Sequence, residues 1–153
     1  MASDPRELYQ QVIIEHNKKP RNFGRLDPCT HHADGQNPLC GDELRLTLNI
    51  RDGRIEDVKF EGHGCAIDVA SASLMTGAVK GKSVEEVERM AEQFRSMVRG
   101  ELDPSALPLE ANLLGKLVLF QGVKDLPVRV KCAVLPWATL HSALKGEETV
   151  STE

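Results

Sequence analysis

Four side chains in this sequence could build one reactive centre: Cys40 and Asp42 in Cys40-Gly41-Asp42, Cys65 after Gly64, and Cys132 after Lys131. The stretches between them are too long for a local loop motif, so only the tertiary fold could bring them together. Three thiolates and a carboxylate suit a four-coordinate site for a borderline-soft ion such as Zn²⁺. The same atoms could instead bind iron or accept a sulfur atom. Against all three stands the ordinary fate of a free cysteine, which is to fill a small apolar gap.

Each candidate has a local reason to be more than filler. Cys40 lies between Pro38-Leu39 and Gly41, on an accessible loop entering a strand. Cys65 precedes a helical stretch, whose unpaired N–H groups and dipole favour a thiolate. Arg129 and Lys131 precede Cys132, and their charges would favour ionised sulfur there. Asp42 is a harder ligand than cysteine or histidine, so a site containing it reads as exchangeable and reactive. Such a site would be net negative even with the ion bound, and Arg129 and Lys131 are the natural compensators. Cys29-Thr30-His31-His32 looks like a short metal-binding tract but lacks an evident fourth partner, and a solvated loop is expected. His63 reads as a sheet-edge residue.

These side chains need a frame. Asp4-Pro5-Arg6-Glu7 predicts a helix start, with Leu8, Tyr9, Val12, Ile13 and His16 at helical spacing before Pro20. Residues 19–41 read as a long, partly ordered surface loop. Leu44, Leu46, Leu48 and Ile50 alternate with polar residues as a half-buried strand, and Asp52-Gly53 is a hairpin turn into a strand through Val58 and Phe60. Ile55 falls on the wrong parity and predicts either a bulge or a strand that starts later than the turn implies. A helix of small residues should follow Cys65. Ser83-Val84-Glu85-Glu86 opens another helix through Val87, Met90, Phe94 and Met97. Leu109, Leu113, Leu117 and Phe120 suggest one more, ended by Gly122. In the last helix Pro136 places the regular part near itself, leaving Cys132 at or before the helix start. The expected class is α+β: a small antiparallel sheet with several helices packed on it, in a single domain over 1–153, with a helical insertion about 100–123 and a disordered tail about 147–153.

The 153 residues carry 19 Lys and Arg against 23 Asp and Glu. That acidic balance gives no nucleic-acid footprint. No apolar run is long enough to span a bilayer, and no basic-then-apolar export signal opens the sequence. A cytoplasmic, reducing setting is expected, in which cysteines serve metal or thiol chemistry sooner than disulfides.

Cys40-Gly41-Asp42, Gly64-Cys65-Ala66-Ile67 with Ala70-Ser71-Ala72-Ser73, and Arg129-Val130-Lys131-Cys132-Ala133 together resemble the IscU-like proteins of iron–sulfur cluster assembly, from about residue 6 to 145. The chain is most similar to the SufU branch, because Lys131 stands where IscU scaffolds carry histidine and an insertion lengthens residues 100–123. The resemblance implies an IscU-like fold with Zn²⁺ held by Cys40, Asp42, Cys65 and Cys132. It implies a pyridoxal-phosphate cysteine desulfurase of SufS type as partner, with Cys40 as the acceptor of persulfide sulfur, and downstream cluster-assembly proteins beyond it. Arg129 would steady the charge or contact the partner. The alternative is a scaffold for a transient [2Fe–2S] cluster, which a protonated Lys131 could not ligate. Asp68 departs from the family pattern, which usually has serine there. It either makes the pocket more negative or caps the first turn of the helix.

Overall fold

The structure, a computed structural model, describes residues 5–152; Asp4, the expected helix cap, lies outside the described residues. The first helix, α1 (Pro5–Lys18), leads through an extended segment into strand β1 (His31–Asn37). The chain then forms β2 (Asp42–Arg51), β3 (Arg54–His63), α2 (Ala66–Val79) and α3 (Val84–Val98). Three 3-10 segments (Pro104–Ala106, Leu109–Ala111 and Gly115–Asp125) precede α4 (Pro127–Leu144) and β4 (Thr149–Ser151). The sheet order is β3-β2-β1-β4.

The α+β layout stands, and the sheet gains one parallel strand. β1, β2 and β3 are antiparallel, while β4 runs parallel to β1, pairing Thr149 with Asp34 and Val150 with Gly35. Residues expected in a disordered tail therefore contribute backbone to the sheet. The predicted hairpin turn forms at Asp52 (φ 54°) and Gly53 (φ 74°), both left-handed as a tight hairpin turn requires. The predicted bulge is also present: the β2–β3 register shifts between Asn49 and Ile50, which brings Ile50 opposite Ile55. Both isoleucines can then face the core despite their parity.

Residues 19–41 are tied down more firmly than a surface loop. Gly24 N–H donates to the Phe60 carbonyl and Phe60 N–H to that of Asn22, at 2.8 and 3.0 Å. Further on, Leu26 N–H donates to Thr47 Oγ1 at 3.0 Å. The segment thus passes the β3 edge, crosses the outer sheet face over Thr47, and enters β1. A polar run without alternation hides a strand when its backbone, not its side chains, supplies the contacts.

Leu44, Leu46 and Leu48 are buried on the inner face, with Val58 and Phe60 beside them. α4 lies directly on β1. A Cβ on Gly35 would stand 2.0 Å from Thr139 Oγ1, so only a bare Cα permits that approach. Trp137 of α4 stacks on Phe94 of α3 with centroids 4.9 Å apart. Phe94 in turn meets Phe120 edge-on at 5.6 Å. Phe120, Leu117 and Val123 bury the 3-10 segment over 115–125 against this cluster. The α-helix expected over 109–120 is thus replaced by short 3-10 pieces, anchored by a few apolar residues. Pro104, Pro108 and Pro127 punctuate the segment and limit regular helix around it.

Helix α4 corrects a second expectation. Its first turn holds Pro127, and Pro136 sits inside it. Cys132 is therefore in the helix interior and fully buried. Proline is most at home in a first turn, where its missing N–H costs nothing, and Pro127 takes that place. Pro136 has no N–H for the Cys132 carbonyl, so the ladder is interrupted beside the cysteine.

A candidate metal centre

Cys40 belongs to the turn joining β1 to β2. Pro38 follows Asn37, and Cys40 N–H donates back to the Asn37 carbonyl at 3.2 Å, closing a four-residue turn. Asp42 is then the first residue of β2 and fully buried. Cys65 is the N-cap of α2, its sulfur accepting from Asp68 N–H at 3.5 Å. Serine or aspartate usually holds this position, so a thiolate there gains the donors at the helix end. Cys132 arrives from the opposite side, on α4.

The donor atoms of Cys40, Asp42 and Cys132 all lie within 4.8 Å of one another. Cys65 Sγ stands 3.9 Å from Asp42 Oδ2, while Cys65 N–H donates to Asp42 Oδ1 at 2.8 Å. Asp42 is the hinge of the arrangement, since it touches the helix-capping cysteine and belongs to the tight group as well. Burial pushes the Cys132 thiol well above its usual range, and contacts with Cys65, Cys40 and Asp42 push it further. Burial and the neighbouring acidic groups outweigh the expected help from Arg129 and Lys131, and Arg129 is exposed. Packing so many acidic groups together disfavours their charged forms. A divalent cation among them reverses that cost, and the donor set fits a thiophilic ion.

Arg129 is exposed near the start of α4, and its charge reaches Tyr9 of α1. Burial raises the half-buried Tyr9 hydroxyl, the charge of Arg129 opposes that shift, and Cys65 adds to it. Arg129 is not part of the donor group. His63 turns away into solvent, 3.3 Å from Glu43. Cys29, His31 and His32 do not converge: His31 contacts Thr30 and His32 lies near Glu148. Among the described residues, Cys40, Asp42 and Cys132 form the single metal-capable group.

Two buried polar residues complete the surroundings. Asn37, the last residue of β1, points its Nδ2 at Cys132 Sγ, 3.9 Å away. No motif marked it beforehand; the turn signal Asn37-Pro38 was its only trace. Asp68, noted as atypical, is 2% exposed. Its carboxyl is raised to about 8, first by burial and then by the charge of Asp42.

Residues 8–133 match the NifU-like N terminal domain. The chain belongs to this family of iron–sulfur cluster assembly proteins. This NifU-like chain is 43% identical over 141 residues to the zinc-dependent sulfurtransferase SufU of Bacillus subtilis, covering 92% of each. It is 41% identical to the iron–sulfur cluster assembly scaffold protein IscU of Streptococcus pyogenes, over 90% of this chain and 83% of the relative. The crystal structure of FiSufU from Fervidobacterium islandicum superposes with a TM-score of 0.80 at 36% identity, covering 90% of this chain and 97% of that one. No helix among the described residues of this NifU-like chain is long and apolar enough to cross a membrane.

Proposed function

We propose that this protein is a zinc-dependent sulfur acceptor that stimulates a cysteine desulfurase and takes its persulfide sulfur on Cys40. The observation that carries the reading is the unequal setting of thiols sharing one centre. Cys40 is half-exposed on a turn, whereas Cys132 is fully buried on a helix. Cys40, Asp42, Cys65 and Cys132 would hold the ion. When bound, Zn²⁺ supplies charge that keeps these thiols deprotonated near neutral pH.

In this reading Asp42, Cys65 and Cys132 anchor, and Cys40 reacts. The Cys40 thiolate attacks the outer sulfur of the partner's persulfide. A new S–S bond forms on Cys40, the partner's S–S bond breaks, and the partner cysteine leaves as a thiolate. One S–S bond replaces another, so no outside oxidant is needed. Arg129, exposed near the start of α4, would contact the partner. All four cysteines are free, in keeping with a cytoplasmic, reducing setting.

The test is turnover of a SufS-type pyridoxal-phosphate desulfurase with this protein present. Wild type should stimulate it and Cys40→Ala should not. Equal stimulation by the alanine variant removes Cys40 as acceptor. The likeness to IscU scaffolds favours a second reading, in which a [2Fe–2S] cluster is assembled here and passed to apo-proteins. Anaerobic reconstitution separates the two: a brown protein that hands a cluster to an apo-acceptor supports the scaffold, and a colourless zinc protein supports sulfur transfer.

A further inference from the structure

Asn37 meets the donor group in three ways. Its carbonyl accepts from Cys40 N–H at 3.2 Å, which ties down the turn that carries Cys40. It stands opposite Asp42 in the β1–β2 ladder, so the two share the inner face, and both are fully buried. Its Nδ2 donates to Cys132 Sγ at 3.9 Å, the long reach that a large sulfur acceptor allows. Among the described residues it is the only nitrogen that does so.

The side chain carries a cost that the fold does not require. Asn37 Oδ1 is buried with no hydrogen-bond partner among the described residues, and a stranded amide oxygen is destabilising. Leucine has nearly the same branched shape and would leave no polar atom unpaired in this closed position. The ladder itself engages only the backbone of residue 37. What asparagine adds over such a replacement is the Nδ2 donor, and its target is the Cys132 sulfur.

That sulfur has a particular need. In the ligand set proposed above, on which this inference rests, three thiolates and a carboxylate outweigh the charge of one divalent ion. Cys40 and Cys65 are partly exposed and can share the excess with water, whereas Cys132 is fully buried. A buried cation would relieve it only at a large desolvation cost of its own. A neutral amide N–H supplies partial positive charge at a smaller one.

We infer that Asn37 is a positioning residue of the metal centre, which keeps Cys132 as the retained ligand by donating to its sulfur. A thiolate that accepts a hydrogen bond holds its electrons more tightly and is the poorer nucleophile. Cys40 receives no such donor to its sulfur among the described residues, and it stays the thiolate free to react. Hydrogen bonding thus adds to exposure in setting the two sulfurs apart.

The test is Asn37→Leu in the full chain, with Asn37→Ala as a second variant, read by affinity and spectrum alone, should leucine fold poorly. Zn²⁺ affinity, by chelator competition, should fall about tenfold. The melting temperature of the metal-free protein should hold or rise, because the stranded oxygen leaves together with the donor. In the Co²⁺-loaded protein the sulfur-to-metal charge-transfer band should move to longer wavelength, since a sulfur without its donor gives up electrons more readily. A merely structural residue would lower the metal-free and metal-loaded melts equally and leave the band in place, and that result overturns the inference. An affinity within about threefold of wild type also overturns it. Wild type that takes up no Zn²⁺ defeats the ligand set, and this inference with it. Wild type that binds Zn²⁺ and stimulates a desulfurase, beside an Asn37→Leu variant of unchanged affinity and band, defeats the role of Asn37 alone.

Discussion

The two sides of the centre are built from different materials. On one side, Cys40 sits in a four-residue turn and Asp42 at the first position of a strand. On the other, Cys65 caps α2 and Cys132 lies inside α4, which is packed against β1 and stacked on α3. A helix interior cannot move one residue without dragging its neighbours, whereas a turn can. On the proposed function, the same sulfur chemistry would acquire two roles from its supports: anchoring where the backbone is locked, and reacting where it is not.

The contrast breaks most clearly if Cys132→Ser is tolerated. That variant should lose the metal and unfold about 10 °C earlier, as several kcal/mol of binding free energy are folding free energy here. Metal content and a thermal melt check both effects. Chelation of wild type should reproduce most of that loss. Cys40→Ala should instead retain most of its melting temperature while losing desulfurase stimulation, and a fall as large as that of Cys132→Ser would erase the distinction.

Gly64→Ala sharpens the point from the exposed residue before Cys65. Its Cβ would press on both Asp42 and Asp68, and the strain should cost about 1–3 kcal/mol and most of the metal affinity. Gly35→Ala is the matched control. Its Cβ would meet Thr139, away from the donor atoms. A similar loss of stability is expected there, measured equally in the zinc-loaded and chelated protein.

The smallest effect is one of pH. His16 is buried beside Ser73 Oγ at 2.6 Å, and burial, followed by the charge of Arg21, lowers its pKa. The unfolded chain therefore binds the proton more readily than the folded one. The contribution is fully present above about pH 6.5 and is lost as pH falls through the lower folded value. Denaturation midpoints between pH 5 and 7 should decline less for His16→Gln than for wild type.

Much of this was readable from residue order, wherever one local signal dominated. The alternating leucines of β2, the Asp52-Gly53 turn, the Ile55 parity slip and the Ser83 cap all carried their own geometry. The failures share a cause. β1 has Asp34, Gly35 and Gln36 where a strand would show apolar alternation, because α4 covers it so closely that a bare glycine is needed. Pro136 reads as a helix start, but packing of Trp137 and Leu140 outweighs the lost hydrogen bond. The candidate donors Cys40, Asp42 and Cys132, which the fold brings together, stood out by type and neighbours. That Asp42 would take the Cys65 N–H and strand Asp68 depends on two segments meeting in space, which neither announces.

The pairing of β4 with β1 has a consequence for recognition. On the far flank, Asn22–Gly24 bridges to Phe60 of β3. Part of the backbone on each flank is thus already paired, over Asp34–Gln36 of β1 and at Phe60 of β3, which shortens the stretch open to a visiting strand. On the proposed function, a protein delivering sulfur to Cys40 would meet the turn between β1 and β2 end-on, beside the start of α2, where contacts form and release quickly enough for a courier.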